Sequence, residues 1–266
     1  MELEEVVEQI GAIDKAVAIL FHLHGLPRPQ GVTGIGRALG IPKSSTHRLL
    51  TALRRGGLVD RDERGRYRPG SGLIALGLGA LEREPVVVLA RPVLEREAEA
   101  VGETFFLVGL RAGQLTVLDK VEGTGLLRAA PRVGSRLPVH ATAVGRLFLA
   151  FAPESLSFPR GRLEDFTPQT VTDVEALRAD VEKARADGWA SSRDQWIPGL
   201  SVLAAPVLAG SRMVAALAMA APTARLDELG GDELGPRVVR AGERIAARLE
   251  PLSGEEATAR VRGGSQ

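Results

Sequence analysis

Glycine and proline divide residues 25–70 so closely that little except short helices and a hairpin can be built between them. Residues 12–24 precede this stretch, with Ala16, Ile19, Leu20 and Leu23 at helical spacing. GLPRPQG (25–31) ends that helix. Thr33 is the expected N-cap of a short helix over 34–39, with Ile35 and Leu39 turned inward. Gly40 suits a left-handed C-terminal position, and Pro42 the entry of the next helix, about 43–55. That helix has Leu49, Leu50 and Leu53 for a core face. DRDERGRYRPG (60–70) then reads as two short strands around Arg64-Gly65, with Arg64, Arg66 and Arg68 alternating along them. Helix, glycine turn, helix and wing make a mainly α winged helix-turn-helix over residues 11–70.

Charge points the same way. The chain of 266 residues carries a net charge of only +1. Residues 1–10, an acidic N-terminal tail, hold four Glu and no base, whereas residues 11–70 hold eleven Lys and Arg against four acids. A basic block on such a scaffold is what phosphate-backbone binding requires. Thr33, Lys43, Ser44, Ser45, Thr46, His47, Arg48, Thr51 and Arg54 are the expected DNA-facing residues of the helices, and Arg64, Arg66 and Arg68 those of the wing. Short hydroxyls at a helix start can meet phosphates or base edges, and Arg48 can bind guanine in bidentate fashion. For Ser44, a first-turn capping role is an equal reading.

Beyond residue 70 the pattern changes. SGLIALGLGALEREP (71–85) forms a linker helix, and VVVLARPVLEREAEAVG opens a second domain over 86–252 with an amphipathic helix. Thr104–Leu110 and Leu115–Val121 flank RAGQ as a hairpin, with a third short strand expected at Leu126–Ala130. Helices follow over 141–152 and 172–187, the latter capped by Thr172 and ended by Gly188. Two apolar strands surround Gly210-Ser211, and a helix over 232–250 closes the domain. Antiparallel strands framed by helices make an α+β domain. The polar residues 253–266 read as a disordered tail.

Several classes of chemistry find no support. There is no cysteine, so disulfides, thiolate metal sites and cysteine catalysis are out. No apolar run approaches a membrane span, and the acidic start lacks the basic opening of a signal peptide, so the chain reads as cytoplasmic. His140 is the lone histidine of the second domain, and HExxH, GxSxG and GxxxxGK[ST] patterns are missing. No catalytic residue, metal site or cofactor is expected.

VTGIGRALGIPKSSTHRLLTALRRGGLVDRDERGRYRPG resembles the N-terminal winged helix of the IclR family of bacterial transcription regulators. VGETFFLVGL, VGSRLPVHATAVGRLFLAF, PGLSVLAAPV and VAALAMAAP resemble, in order, the family's effector-binding domain, so that roughly residues 12–250 are covered. The resemblance implies a GAF-like antiparallel sheet, an operator-binding regulator and a homodimer or dimer of dimers. In members that sense small carboxylic acids, the ligand lies against the start of the helix matching HATAVGR, which gives His140, Thr142 and Ala143 here. An acidic turn supplies Asp194, with Gln195 where an acid is common and Trp196 beside it. Ala218 and Ala220 stand where those sensors place serines, although plain sheet packing explains them equally well. Fewer polar groups favour a larger, more apolar ligand such as an aromatic acid. Two alternatives stay open: a ligand-free regulator whose second domain serves only assembly, and an enzyme on a similar fold.

Overall fold

A computed structural model describes residues 11–81, 83–125 and 131–263, and the chain divides into two compact units at Arg83/Glu84. In the first, helix α1 spans Ala12–His24, α2 Val32–Leu39 and α3 Lys43–Arg55. Strands β1 (Val59–Arg61) and β2 (Tyr67–Pro69) pair antiparallel as the wing, and α4 (Ser71–Leu81) follows. Ile19, Leu23, Ile35, Leu50, Leu53, Val59 and Tyr67 form one buried core, so each element contributes the apolar stripe its spacing provides. Gly40 takes the left-handed conformation (φ 65°) that ends α2. Helix α2 starts two residues earlier than the sequence suggests: Gly31, extended at φ −78° and ψ 157°, is its N-cap, and Thr33 stands inside the first turn.

The second unit opens with α5 (Pro85–Val101), whose first residue is proline. Strands β3 (Thr104–Arg111) and β4 (Gln114–Val121) form the expected hairpin, closed by Ala112 (φ 48°) and Gly113 (φ 73°). Two positive φ values in a two-residue turn match the right-handed twist of the strands. Next come β5 (Arg136–Leu137), α6 (Ala143–Phe151), α7 (Val174–Asp187), β6 (Ala190–Arg193), β7 (Leu200–Ala209), β8 (Arg212–Pro222), α8 (Thr223–Glu228) and α9 (Gly231–Gly263). The strand expected at Leu126–Ala130 lies outside the described residues. Helix α7 is capped by Asp173, which accepts the Ala176 N–H at 2.7 Å, rather than by Thr172. Helix α9 continues past residue 250, through the 253–263 stretch that its polar composition assigns to a disordered tail.

The sheet is antiparallel throughout, in the order β5-β4-β3-β8-β7-β6. Its two faces bury separate cores, because side chains alternate along each strand. Phe106, Val108, Ala216, Ala218 and Ala204 face α6 and α7. Phe105, Leu107, Leu203, Leu217 and Met219 face α5 and α9. Between those two helices, Glu97 of α5 is 2% exposed and accepts from Arg237 Nε (2.7 Å) and Arg244 Nη2 (2.6 Å) of α9. The architecture is thus an N-terminal helical winged unit followed by an α+β unit with an antiparallel sheet.

Candidate nucleic-acid interface and effector face

Helix α3 is two-sided. Thr46, Leu50 and Leu53 are buried, while Lys43, Ser44, His47, Arg48, Thr51 and Arg54 are exposed and Ser45 is half-buried. Thr46 therefore leaves the set of outward hydroxyls. At 0% exposure its Oγ1 donates to the carbonyls of Ile41 (3.2 Å) and Pro42 (3.0 Å), so it closes the turn before α3. Gly36 of α2 makes this possible, since a Cβ there would lie 2.8 Å from the Ile41 carbonyl oxygen. Thr51 donates to the His47 carbonyl at 2.8 Å and keeps its lone pairs outward. Thr33 is exposed, but on α2.

The wing arginines divide into two kinds. Arg66 is latched to Asp62, by its backbone N–H (2.8 Å) and by its guanidinium (2.9 Å). The Arg66 N–H foremost, opposed by burial and helped by the Arg66 guanidinium, holds the Asp62 carboxyl below its usual range. Arg68 approaches Asp60 only to 3.9 Å. Arg64, at the turn, is exposed and makes no ion pair among the described residues, as is true of Lys43, Arg48 and Arg54. An exposed helix face and a hairpin tip thus offer cations whose charge is not already spent.

In the second unit, Thr142 is the N-cap of α6: its Oγ1 accepts the Gly145 N–H at 3.2 Å and donates to the Pro138 carbonyl at 2.7 Å. The N–H groups of Ala143 and Val144 precede any acceptor within the helix. His140 is buried, stacks on Phe166 at 5.6 Å and donates from Nε2 to the Glu164 carbonyl at 2.8 Å. Ala218 and Ala220 lie on the sheet face that packs against α6, as does the half-buried Trp196. Sheet pairing sets Thr104, Ala220, Val202 and Ser192 in one row, and Phe106, Ala218, Ala204 and Ala190 in the next.

Asp194 is committed elsewhere. In left-handed conformation (φ 55°), its Oδ1 accepts from Gly199 N–H and from the Thr223 hydroxyl, both at 2.7 Å, which fastens the 194–199 turn. Gln195 presents its Oε1 to Arg146 Nη2 at 2.5 Å. Arg146 is 2% exposed and also donates to Asp180 at 2.9 Å and to the Ser191 carbonyl. Burial pulls its pKa down, and the Asp180 carboxylate opposes this.

Three residues of this face escape a reading by motif: Thr104, Ser192 and Arg146. Thr104 and Ser192 are buried, and no hydrogen bond of either hydroxyl is found among the described residues. Alternation on strands paired with the one bearing Ala218 and Ala220 is the signal that finds them. For Arg146 the signal is one cation within the apolar helix AVGRLFLAF. Among the described residues no helix is long and apolar enough to cross a membrane, and no group of three or more His, Cys, Asp or Glu could hold a metal ion.

Two family models match. Residues 12–63 match the IclR helix-turn-helix domain, and residues 78–247 match the bacterial transcriptional regulator IclR C-terminal domain. The HTH-type transcriptional regulator XynR of Escherichia coli is 30% identical over 224 residues, covering 82% of this chain and 89% of its own. An IclR transcriptional regulator from Alicyclobacillus acidocaldarius superposes with a TM-score of 0.72 at 30% identity, covering 91% and 98% of the two chains. An IclR homologue from Microbacterium hydrocarbonoxydans, solved with 4-hydroxybenzoate, gives 0.75 at 26% identity, over 91% and 100%.

Proposed function

This chain belongs to the IclR family of bacterial transcriptional regulators, and from that premise we propose that a small organic acid, held in its second domain, modulates its binding to operator DNA. The family and its relatives are regulators, not enzymes. The observation that carries the reading is the row of Thr104 and Ser192 hydroxyls beside Ala218 and Ala220, on the face packed against α6. Unbonded hydroxyls and first-turn N–H groups suit a carboxylate, and the alanines offer an apolar surface to the rest of the acid. That a homologue was solved with 4-hydroxybenzoate supports an aromatic acid.

The test is a melting scan of the full chain with 4-hydroxybenzoate and a panel of aliphatic and aromatic acids. A ligand that binds only the native state raises the melting temperature by mass action, and it must also shift operator affinity if the two sites are coupled. Ser192→Val and Thr104→Val are expected to weaken the effect about tenfold, the loss of roughly one hydrogen bond to a charged group. Ala218→Ser should favour smaller, more polar acids. A panel that moves neither melting nor DNA affinity would leave the ligand-free reading in its place.

On the DNA side, Lys43, Ser44, Ser45, His47, Arg48, Thr51 and Arg54 of α3 and Arg64 of the wing are the proposed contacts, with Thr33 at the start of α2 and Arg68 at their margin. Arg64→Ala should lower the salt slope of binding by roughly 0.9, the release due to one phosphate. Arg66→Ala is expected to leave that slope within experimental error, because Arg66 is already neutralised by Asp62. Equal changes in slope for both variants would mean that the Asp62 pair opens on DNA.

Exposed apolar side chains support assembly. Ile13, Val17 and Phe21 recur one turn apart on α1 at 80%, 45% and 63% exposure, and Ile74, Leu76 and Leu78 are exposed on α4. The stripe on α1, and exposed apolar side chains on two sides of α4, are costly to leave in water and support a seam between two copies. Light scattering at micromolar concentration is expected to give the mass of a dimer or tetramer, and Phe21→Glu to reduce it. A monomeric wild type sinks this reading.

A further inference from the structure

A cavity of about 360 Å³ opens where the β3–β4 and β7–β8 turns meet the end of α6 and the first turn of α5. Phe148, Met213 and Val214 give it apolar walls, and Arg111 and Arg212 bring two cations to it. Arg111 is engaged by Glu84, the residue just before α5: Nε donates to Oε1 at 3.0 Å, and Nη2 donates to Oε2. Arg212 is exposed and makes no ion pair among the described residues. Among the described residues the cavity thus has one carboxylate for two guanidiniums, above apolar side chains.

Its volume lies within the range of small-molecule sites, and an apolar pocket with a few convergent charged groups is their usual make-up. A small hydrophilic anion could pair with Arg212 but would leave the apolar walls uncovered. A neutral apolar molecule would cover the walls and take Arg212 out of water without a partner. We propose that this cavity is a second ligand site, separate from the face against α6, for a monocarboxylic acid with an apolar body between benzoate and octanoate in size. The ligand's carboxylate pairs with Arg212 and competes with Glu84 for Arg111. Because a planar guanidinium binds one carboxylate edge-on, each occupant excludes the other from that edge. Binding therefore frees Glu84 from β3 and unfastens the first turn of α5 from the sheet.

The probe is octanoate, titrated calorimetrically into the full chain, with acetate and octanamide as controls. Saturable binding of octanoate is expected, with both controls about tenfold or more weaker, since each lacks one of the two interactions. Arg111→Gln combined with Arg212→Gln should weaken octanoate about tenfold or more, and Ala209→Trp, which fills the cavity from beside Arg212 while keeping both guanidiniums, should do the same. Glu84→Gln should strengthen octanoate, because the internal competitor loses its charge. That opposite sign is one that damage to the fold would not produce, and circular dichroism verifies each variant. The Arg111→Gln, Arg212→Gln double variant should keep whatever melting response 4-hydroxybenzoate gives, because neither arginine lies on the face against α6, so this site and the effector reading can fail separately. Absence of saturable binding, acetate binding as well as octanoate, or octanoate affinity unmoved by both the double variant and Ala209→Trp would overturn the proposal. So would its loss in Ser192→Val, which would place octanoate against α6.

Discussion

Gly145→Ala is expected to remove about 3 kcal/mol or more from the stability of the second unit, the upper end of what overpacking costs. A Cβ at residue 145 would lie 1.8 Å from the Val139 carbonyl oxygen and 2.5 Å from its carbon. Both are backbone atoms, so no side-chain rotation relieves the overlap. The chain before α6 is itself held there, because Thr142 donates to the Pro138 carbonyl and accepts from Gly145 N–H. Accommodating one methyl group would mean lifting 138–140 away from the helix and breaking the N-cap, which is worth about 1 kcal/mol on its own. The start of α6 would shift with it, and ligand binding on that face should fall even where folding survives. Denaturant unfolding of wild type and variant, followed by circular dichroism, measures the first effect. A loss under about 1 kcal/mol would show that the 138–140 segment yields freely.

Arg48→Ala is expected to cost about 1–3 kcal/mol of operator binding while costing random DNA much less. Arg48 is exposed on α3 and is followed, along that outward surface, by Thr51 and Arg54. The opposite face of the helix is fixed by Leu50 and Leu53, so the side chain is presented by a rigid element. An arginine that meets only phosphate would lose affinity for every sequence alike, whereas one that meets a guanine edge loses discrimination. Paired titrations on operator and scrambled duplex at one salt concentration separate the two. Equal losses on both would remove Arg48 from base reading.

Much of the fold was legible because it rests on local periodicity. The bounds of α1 and α3, the left-handed Gly40 and Gly188, and the hairpin around Ala112-Gly113 all follow from spacing and turn chemistry. Thr46 was misread because its hydroxyl suggested a surface role. Its spacing, four and seven residues before Leu50 and Leu53, assigns it to the buried face. Strand β6 (ASSR) was missed since it lacks apolar alternation and owes its form to pairing with β7. The effector face was legible only in part. Thr104 and Ser192 reach one row through β8 and β7, and such long-range pairing has no local signature. Asp194 matched a motif, yet its carboxylate is occupied by the turn that it closes.

The Glu97 clamp has a mechanical consequence. Arg237 and Arg244 stand seven residues apart on α9, about 10 Å along its axis, and one buried carboxylate is held by both. Sliding α9 by a single turn against α5 would carry Glu97 away from at least one guanidinium and lose a hydrogen bond to a buried charge, at a cost of about 1.5–3 kcal/mol. Gradual creep between the two helices is therefore closed off, and they behave as a two-ply beam. A shift of α5 along its axis therefore takes α9 with it.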